Sequence, residues 1–205
     1  MAQELPIPAA QTSQRIQIVQ TITIVWMTVE AGASLFAAWT ARSPALLAFG
    51  GDSLVELLSA SVVMWRFTTH TTQEHAERTA ARIAGVLLFV LGGVVAISSA
   101  MMLLGYNKPR PSLLGIAVLV AACLIMPWLA REKRRLSSAT GSAALRADAA
   151  QSNLCAYLAL VALAGLTLNA IWHIGWADPL AALAALPIIA YEGAEAFRGR
   201  PCGCH

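Results

Sequence analysis

The chain has 205 residues, of which 58% are hydrophobic and only 12% are charged. A soluble domain carries about 25% charged residues, so this composition excludes an ordinary soluble fold and favours a protein embedded in the lipid bilayer. The charges form short clusters between long apolar runs, as is typical of membrane helices. The net charge of +3 comes from basic residues at the ends of those runs. It therefore does not indicate a nucleic-acid partner.

Six apolar runs are long enough to cross a bilayer, for which about 20 residues suffice. The first run is preceded by residues 1–15, which lack the basic start of a cleavable signal and are predicted to be a cytoplasmic N-terminal segment. Spans are predicted at 16–41, 45–67, 83–104, 113–130, 143–171 and 179–198, with a short Cys/His tail at 199–205. The basic run at 131–135 is predicted to end the fourth span, and Pro179 opens the sixth at a favourable first-turn position. We therefore predict an all-α integral membrane protein, a bundle of six transmembrane helices.

The distribution of Lys and Arg predicts the orientation of this bundle. An even number of spans puts both termini on one side, and that side carries eleven of the fourteen basic residues. The opposite side has only Arg42, Lys108 and Arg110. The positive-inside rule then predicts cytoplasmic termini and a multi-pass protein of the cell (inner) membrane.

Two carboxylates in the second span are the strongest functional signal. Asp52 and Glu56 lie four residues apart, so they share one face of a helix. Glu56 lies about 16 Å from the start of the span, near mid-depth. Two such carboxylates cannot both stay ionised in a dry site unless a cation lies between them. Because intramembrane acids are costly and rare, the pair predicts an ion path.

The fifth span offers a matching polar stripe. Asp148, Gln151, Ser152 and Cys155 follow one another at helical spacing, so they lie on one face. Cys155 lies about 18 Å from the start of its helix, so it can meet the acidic face of an antiparallel second helix. Each of these side chains carries an oxygen or sulfur atom that could coordinate a metal.

The residues Gly51-Asp52-Ser53-Leu54-Val55-Glu56 resemble the second-helix motif of the cation diffusion facilitators, which are metal–proton antiporters. Arg146-Ala147-Asp148 resembles the lead-in to the family's fifth-helix site. Asp178-Pro179 and Tyr191-Glu192-Gly193 resemble the start and end of its sixth helix. The resemblance covers nearly the whole membrane part of the chain.

The resemblance implies a metal site shared by the second and fifth helices. Its predicted ligands in this chain are Asp52, Glu56, Asp148, Gln151 and Cys155. Gln151 and Cys155 stand where the family has His and Asp, and the family's cytoplasmic domain is not expected after the sixth helix. Carboxylates with a thiolate suit Zn²⁺, or Co²⁺, Cd²⁺ or Fe²⁺, whereas Mg²⁺ and Ca²⁺ prefer hard oxygen ligands.

Several other residues are secondary candidates. Glu30, near mid-depth in the first span, could be an outer ligand, a proton relay or a packing partner, and Ser152 could assist the site. Glu192 and Glu195, near Arg198, predict a solvated helix end more than a metal entry site. The tail Cys202-Gly203-Cys204-His205 has three soft ligands and could capture metal weakly.

Our leading hypothesis is a proton-coupled exporter of a divalent transition metal that works by alternating access, with a homodimer expected. The alternative is a metal-binding membrane sensor or accessory subunit that does not transport. An enzyme is not expected, since no nucleophile has an adjacent base and no loop could cradle phosphate.

Overall fold

The structure, a computed structural model, describes residues 9–69 and 74–198, with side chains described over 14–65, 82–142 and 145–198. Six helices make up the described part. They are α1 (Ala9–Ala41), α2 (Pro44–Thr69), α3 (Glu74–Leu103), α4 (Leu113–Thr140), α5 (Ala143–Trp172) and α6 (Ala177–Phe197). All six contain a segment long and apolar enough to cross a membrane. The predicted six-helix, all-α membrane fold is confirmed.

Helix α4 extends further than the sequence predicted. The span was expected to end at Ala130, but the helix continues through the basic run at 131–135 to Thr140. It ends at Gly141, whose φ of 65° is the left-handed conformation that favours glycine at a helix end. The Ser142 hydroxyl then accepts a hydrogen bond from the Leu145 N–H and caps α5. The predicted loop between these helices is therefore a tight turn.

Helix α2 lies in the middle of the bundle. It packs against α1, α3, α5 and α6, while α4 packs mainly against α5 and α1. A polar side chain on α2 can therefore meet partners from four neighbouring helices. Large apolar side chains such as Phe36, Val90 and Leu124 are exposed on the outer surface of the bundle, as expected of helices that face lipid.

Two contacts fix how α6 sits against the rest. At its start, the Asp178 carboxylate accepts hydrogen bonds from the Ser43 hydroxyl (2.5 Å) and the Ala45 N–H (3.2 Å) at the beginning of α2. Near its end, α6 approaches α3 so closely that a Cβ at Gly85 would lie 2.7 Å from the Gly193 carbonyl oxygen. Small residues at such a crossing let helix backbones come together. Glu192, next to Gly193, is thereby held inside the bundle.

Candidate metal site

The second helix carries the two predicted acidic ligands into the interior. Asp52 and Glu56 are 4% and 1% exposed, and Ser53 between them is completely buried. The two carboxylates are separated by one helical turn, and they do not share the same neighbours. Glu56 meets groups from α4 and α5, whereas Asp52 meets a group from α6.

Glu56 belongs to a group that we call the lysine cluster, which consists of Gln20, Glu56, Lys133, Asp148 and Ser152. The Lys133 ammonium lies 3.0 Å from Asp148 Oδ2 and 3.5 Å from Glu56 Oε1. It also donates a 2.7 Å hydrogen bond to the Ser152 hydroxyl, which in turn donates to Glu56 Oε1. Gln20 Nε2 donates to Asp148 Oδ2 at 2.8 Å. The sequence-predicted residues Glu56, Asp148 and Ser152 are thus brought together around an ammonium group.

Lys133 is the functional residue that the sequence analysis missed. It was counted among the charges that end the fourth span, yet its side chain is completely buried. The available signal was the helical spacing of small and apolar residues through α4. Buried positions include Met126, Leu129, Ala130, Lys133, Leu136 and Ser137, which puts Lys133 on the inward stripe while Arg131, Arg134 and Arg135 stay exposed.

A second group, the Glu30 cluster, consists of Trp26 and Glu30 from α1, Ser53 from α2 and Cys155 from α5. The Glu30 carboxylate accepts hydrogen bonds from the Trp26 indole (2.6 Å) and the Ser53 hydroxyl (2.8 Å). The Cys155 thiol also points to it, with Sγ 3.5 Å from Glu30 Oε1. Glu30 is completely buried and has three donors around it. The sequence predicted that Cys155 shares a metal site with Asp148 and Gln151. In the structure, its polar contacts are with Glu30 and Ser53.

The third group is the carboxyl pair Asp52 and Glu192. The two carboxyl groups lie within hydrogen-bonding distance of each other. Glu192 is 3% exposed, and apart from the Asp52 carboxyl neither of its oxygens has a donor among the described residues. The expectation that Glu192 belongs to a solvated helix end is wrong, because α6 turns it toward α2. The neighbouring Glu195 is partly exposed and lies 3.8 Å from the Arg198 guanidinium, as a solvated helix end would have it.

The remaining predicted ligands are Gln151 on α5 and three residues of the C-terminal tail. Gln151 is half-buried on α5. Cys202, Cys204 and His205 lie outside the described residues. Among the residues that the structure does describe, no three His, Cys, Asp or Glu side chains converge closely enough to hold a metal ion. Four of the five predicted central ligands are instead distributed over the three groups: Asp52, Glu56, Asp148 and Cys155.

The charge balance of the interior is strongly acidic. Six acidic side chains and one basic side chain are buried in the described part of the chain. Asp178 caps α2 at one end, so five carboxyls and one ammonium remain in the three groups. Burying a carboxylate without a partner is costly. Such an excess favours the binding of cations, either protons or metal ions, so the arrangement is suited to binding and releasing positive charge.

Comparison with models of protein families matches residues 20–199 to the cation efflux transmembrane domain. The matched segment includes every residue of the lysine cluster, the Glu30 cluster and the Asp52–Glu192 pair. Comparison with curated proteins finds no significant match.

Proposed function

The chain belongs to the cation efflux (cation diffusion facilitator) family, and on that premise we propose that it exports a divalent transition metal ion from the cytoplasm in exchange for protons. A cation transporter is what family membership supports. The ion, the exchange with protons and the direction are our proposal. The observation that carries it is the excess of five buried carboxyls over one buried ammonium in the middle of the bundle.

The donor set favours a borderline ion. The carboxylates of Glu30 on α1 and of Asp52 and Glu56 on α2 lie near the Cys155 thiol, and this mixture suits Zn²⁺ best, with Co²⁺, Cd²⁺ and Fe²⁺ as further candidates. Asp52 and Glu56 are the proposed central ligands, with Asp148, Gln151 and Cys155 from α5 and Glu30 as a nearby hydrogen-bonded carboxylate. A carboxylate that holds metal must be deprotonated. Protons and metal therefore compete for the same oxygens, which couples their movements.

The proposed direction of transport follows from the cation efflux family, and the proposed orientation follows from the distribution of basic residues. Without Lys133, which is buried and paired, the side that carries both termini still has ten basic residues against three. That bias favours cytoplasmic termini and a location in the cell (inner) membrane.

Helix α3 exposes many apolar side chains and has open space at Gly93. This face would allow a second copy to pack there in the expected homodimer.

Transport of metal into inverted membrane vesicles tests the proposal. Under an imposed pH gradient, the vesicles should accumulate Zn²⁺, and the accumulation should stop when the gradient is collapsed. Asp52→Asn and Glu56→Gln should abolish it. Glu132→Gln, which removes a carboxylate on the outer face of α4 that pairs with Arg135, should leave it intact and serves as the matched control.

Three outcomes would contradict parts of this proposal. Flux that is independent of the pH gradient would refute proton exchange. Flux that persists in both Asp52→Asn and Glu56→Gln would refute these ligands. Metal binding without any flux would favour the accessory or sensor function instead.

A further inference from the structure

The part of the site between α2 and α5 already contains a positive charge of its own. The Lys133 ammonium lies between Glu56 and Asp148 and also donates to Ser152. With both carboxylates ionised, this group carries a formal charge of −1. A divalent ion placed there would have to displace the ammonium, or share two carboxylates with it against like-charge repulsion.

The Asp52–Glu192 pair has no such compensation. Its two carboxyl groups lie within hydrogen-bonding distance of each other, and no Lys or Arg side chain is ion-paired with either within the described residues. With both ionised, the pair carries a formal charge of −2, which matches one divalent ion. The Glu30 carboxylate is different again, because three protein donors already surround it.

The unpartnered oxygens point to the same place. Apart from the adjacent Asp52 carboxyl, which donates only when it is protonated, the two buried Glu192 oxygens have no hydrogen-bond donor in the described part of the chain. Buried polar atoms in native proteins are nearly always satisfied, and two buried carboxyl groups side by side favour a cation between them, either a shared proton or a metal ion. The close crossing of α3 and α6 at Gly85 and Gly193 holds this side chain toward α2. The position of Glu192 is thus built into the packing of the bundle.

We infer that Glu192 on α6 is a direct ligand of the transported divalent cation, which it shares with Asp52 on α2. This inference rests on the proposed function and adds a third helix to the site. Two carboxylates supply up to four oxygens, and Zn²⁺ binds such oxygens at about 2.0–2.2 Å. Because Lys133 partly neutralises Glu56 and Asp148, the ion is held most strongly on the side of the site that faces α6.

Metal binding to the purified full-length protein tests this inference. Titration with Zn²⁺ and with Co²⁺, followed by calorimetry, compares the unsubstituted protein with Glu192→Gln and Glu195→Gln. Glu192→Gln should weaken binding by at least about 10-fold, because even outer-shell partners of metal ligands are worth about 10–100-fold in affinity. Glu195→Gln removes an equal charge three residues away, at a partly exposed position, and should change affinity little.

A second variant covers the case in which Glu192→Gln does not fold. Glu192→Asp keeps the charge and shortens the side chain by one methylene group. If residue 192 is a ligand, the visible absorption of bound Co²⁺ should shift in this variant. An unchanged Co²⁺ spectrum would overturn the inference.

The outcomes also separate this inference from the proposed function. If the unsubstituted protein binds no divalent metal, both fail together. If it binds metal and folded Glu192→Gln binds equally tightly, the carboxyl pair only shares a proton, and this inference alone is overturned. Loss of binding in Glu192→Gln but not in Glu195→Gln supports it.

Discussion

Replacement of Lys133 by Met would leave the Glu56 and Asp148 carboxylates buried beside each other without their ammonium partner. The ammonium lies 3.5 Å from Glu56 Oε1 and 3.0 Å from Asp148 Oδ2. At an effective dielectric constant of about 20, each attraction is worth about 5 kcal/mol before desolvation is subtracted. Desolvation of each buried ion costs several kcal/mol, so the intact group is close to balance. Removing the ammonium leaves two buried carboxylates without an opposite charge, which should destabilise the fold by about 3–5 kcal/mol.

Unfolding in detergent micelles with increasing denaturant measures this loss. Arg134→Met removes the same kind of charge one residue away, at an exposed position, and should change stability by no more than about 0.5 kcal/mol. Adding Glu56→Gln and Asp148→Asn to Lys133→Met should recover most of the lost stability, because the unpaired charges are then gone. A loss of less than about 1 kcal/mol in Lys133→Met, or no recovery in the triple variant, would refute the assignment of Lys133 as the counter-ion.

The close crossing of α3 and α6 predicts that Gly85→Ala costs about 1–3 kcal/mol through overpacking, since its Cβ would meet backbone atoms at 2.7 Å. Gly32→Ala, with nothing within 4 Å, should be neutral in the same denaturant unfolding assay, and equal losses in both would contradict this packing. Asp178→Ala should cost about 1–2 kcal/mol, because the Ser43 hydroxyl and a helix-terminal N–H lose their acceptor. Metal affinity should stay unchanged, whereas a drop in affinity without a loss of stability would make this acid a ligand. Cys155, completely buried, should resist alkylation until the protein unfolds; peptide mapping by mass spectrometry that finds equal labelling before and after unfolding would contradict its burial.

The helices were predictable because hydropathy acts locally. A run of about 20 apolar residues must form backbone hydrogen bonds within itself in lipid, so the number of spans follows from counting such runs. The end of α4 was not predictable in this way, because the charged residues at 131–135 resemble a solvated terminus. In the structure, the helix continues and only Lys133 of this run is turned fully inward.

The candidate site was predictable to the level of residue type. Asp52, Glu56, Asp148 and Cys155 stand out because acids and polar groups in apolar spans are costly, and all four are buried. Their partners were not predictable from spacing. Asp52 and Glu56 share a helical face, but α2 is surrounded by four helices, so a rise of one turn is enough to give the two carboxylates different neighbours.

The sequence by itself determined that this chain is a six-helix membrane protein with an acidic interior, since both properties depend on which residues occur within each apolar run. Only the tertiary structure decided that Lys133, 77 residues from Glu56 in the chain, neutralises it, and that Glu192 reaches Asp52 from α6. The physical reason is that hydropathy sets the depth of a helix in the bilayer. The rotation of each helix and the choice of its neighbours depend on packing between distant segments, such as the contact of Gly85 with Gly193.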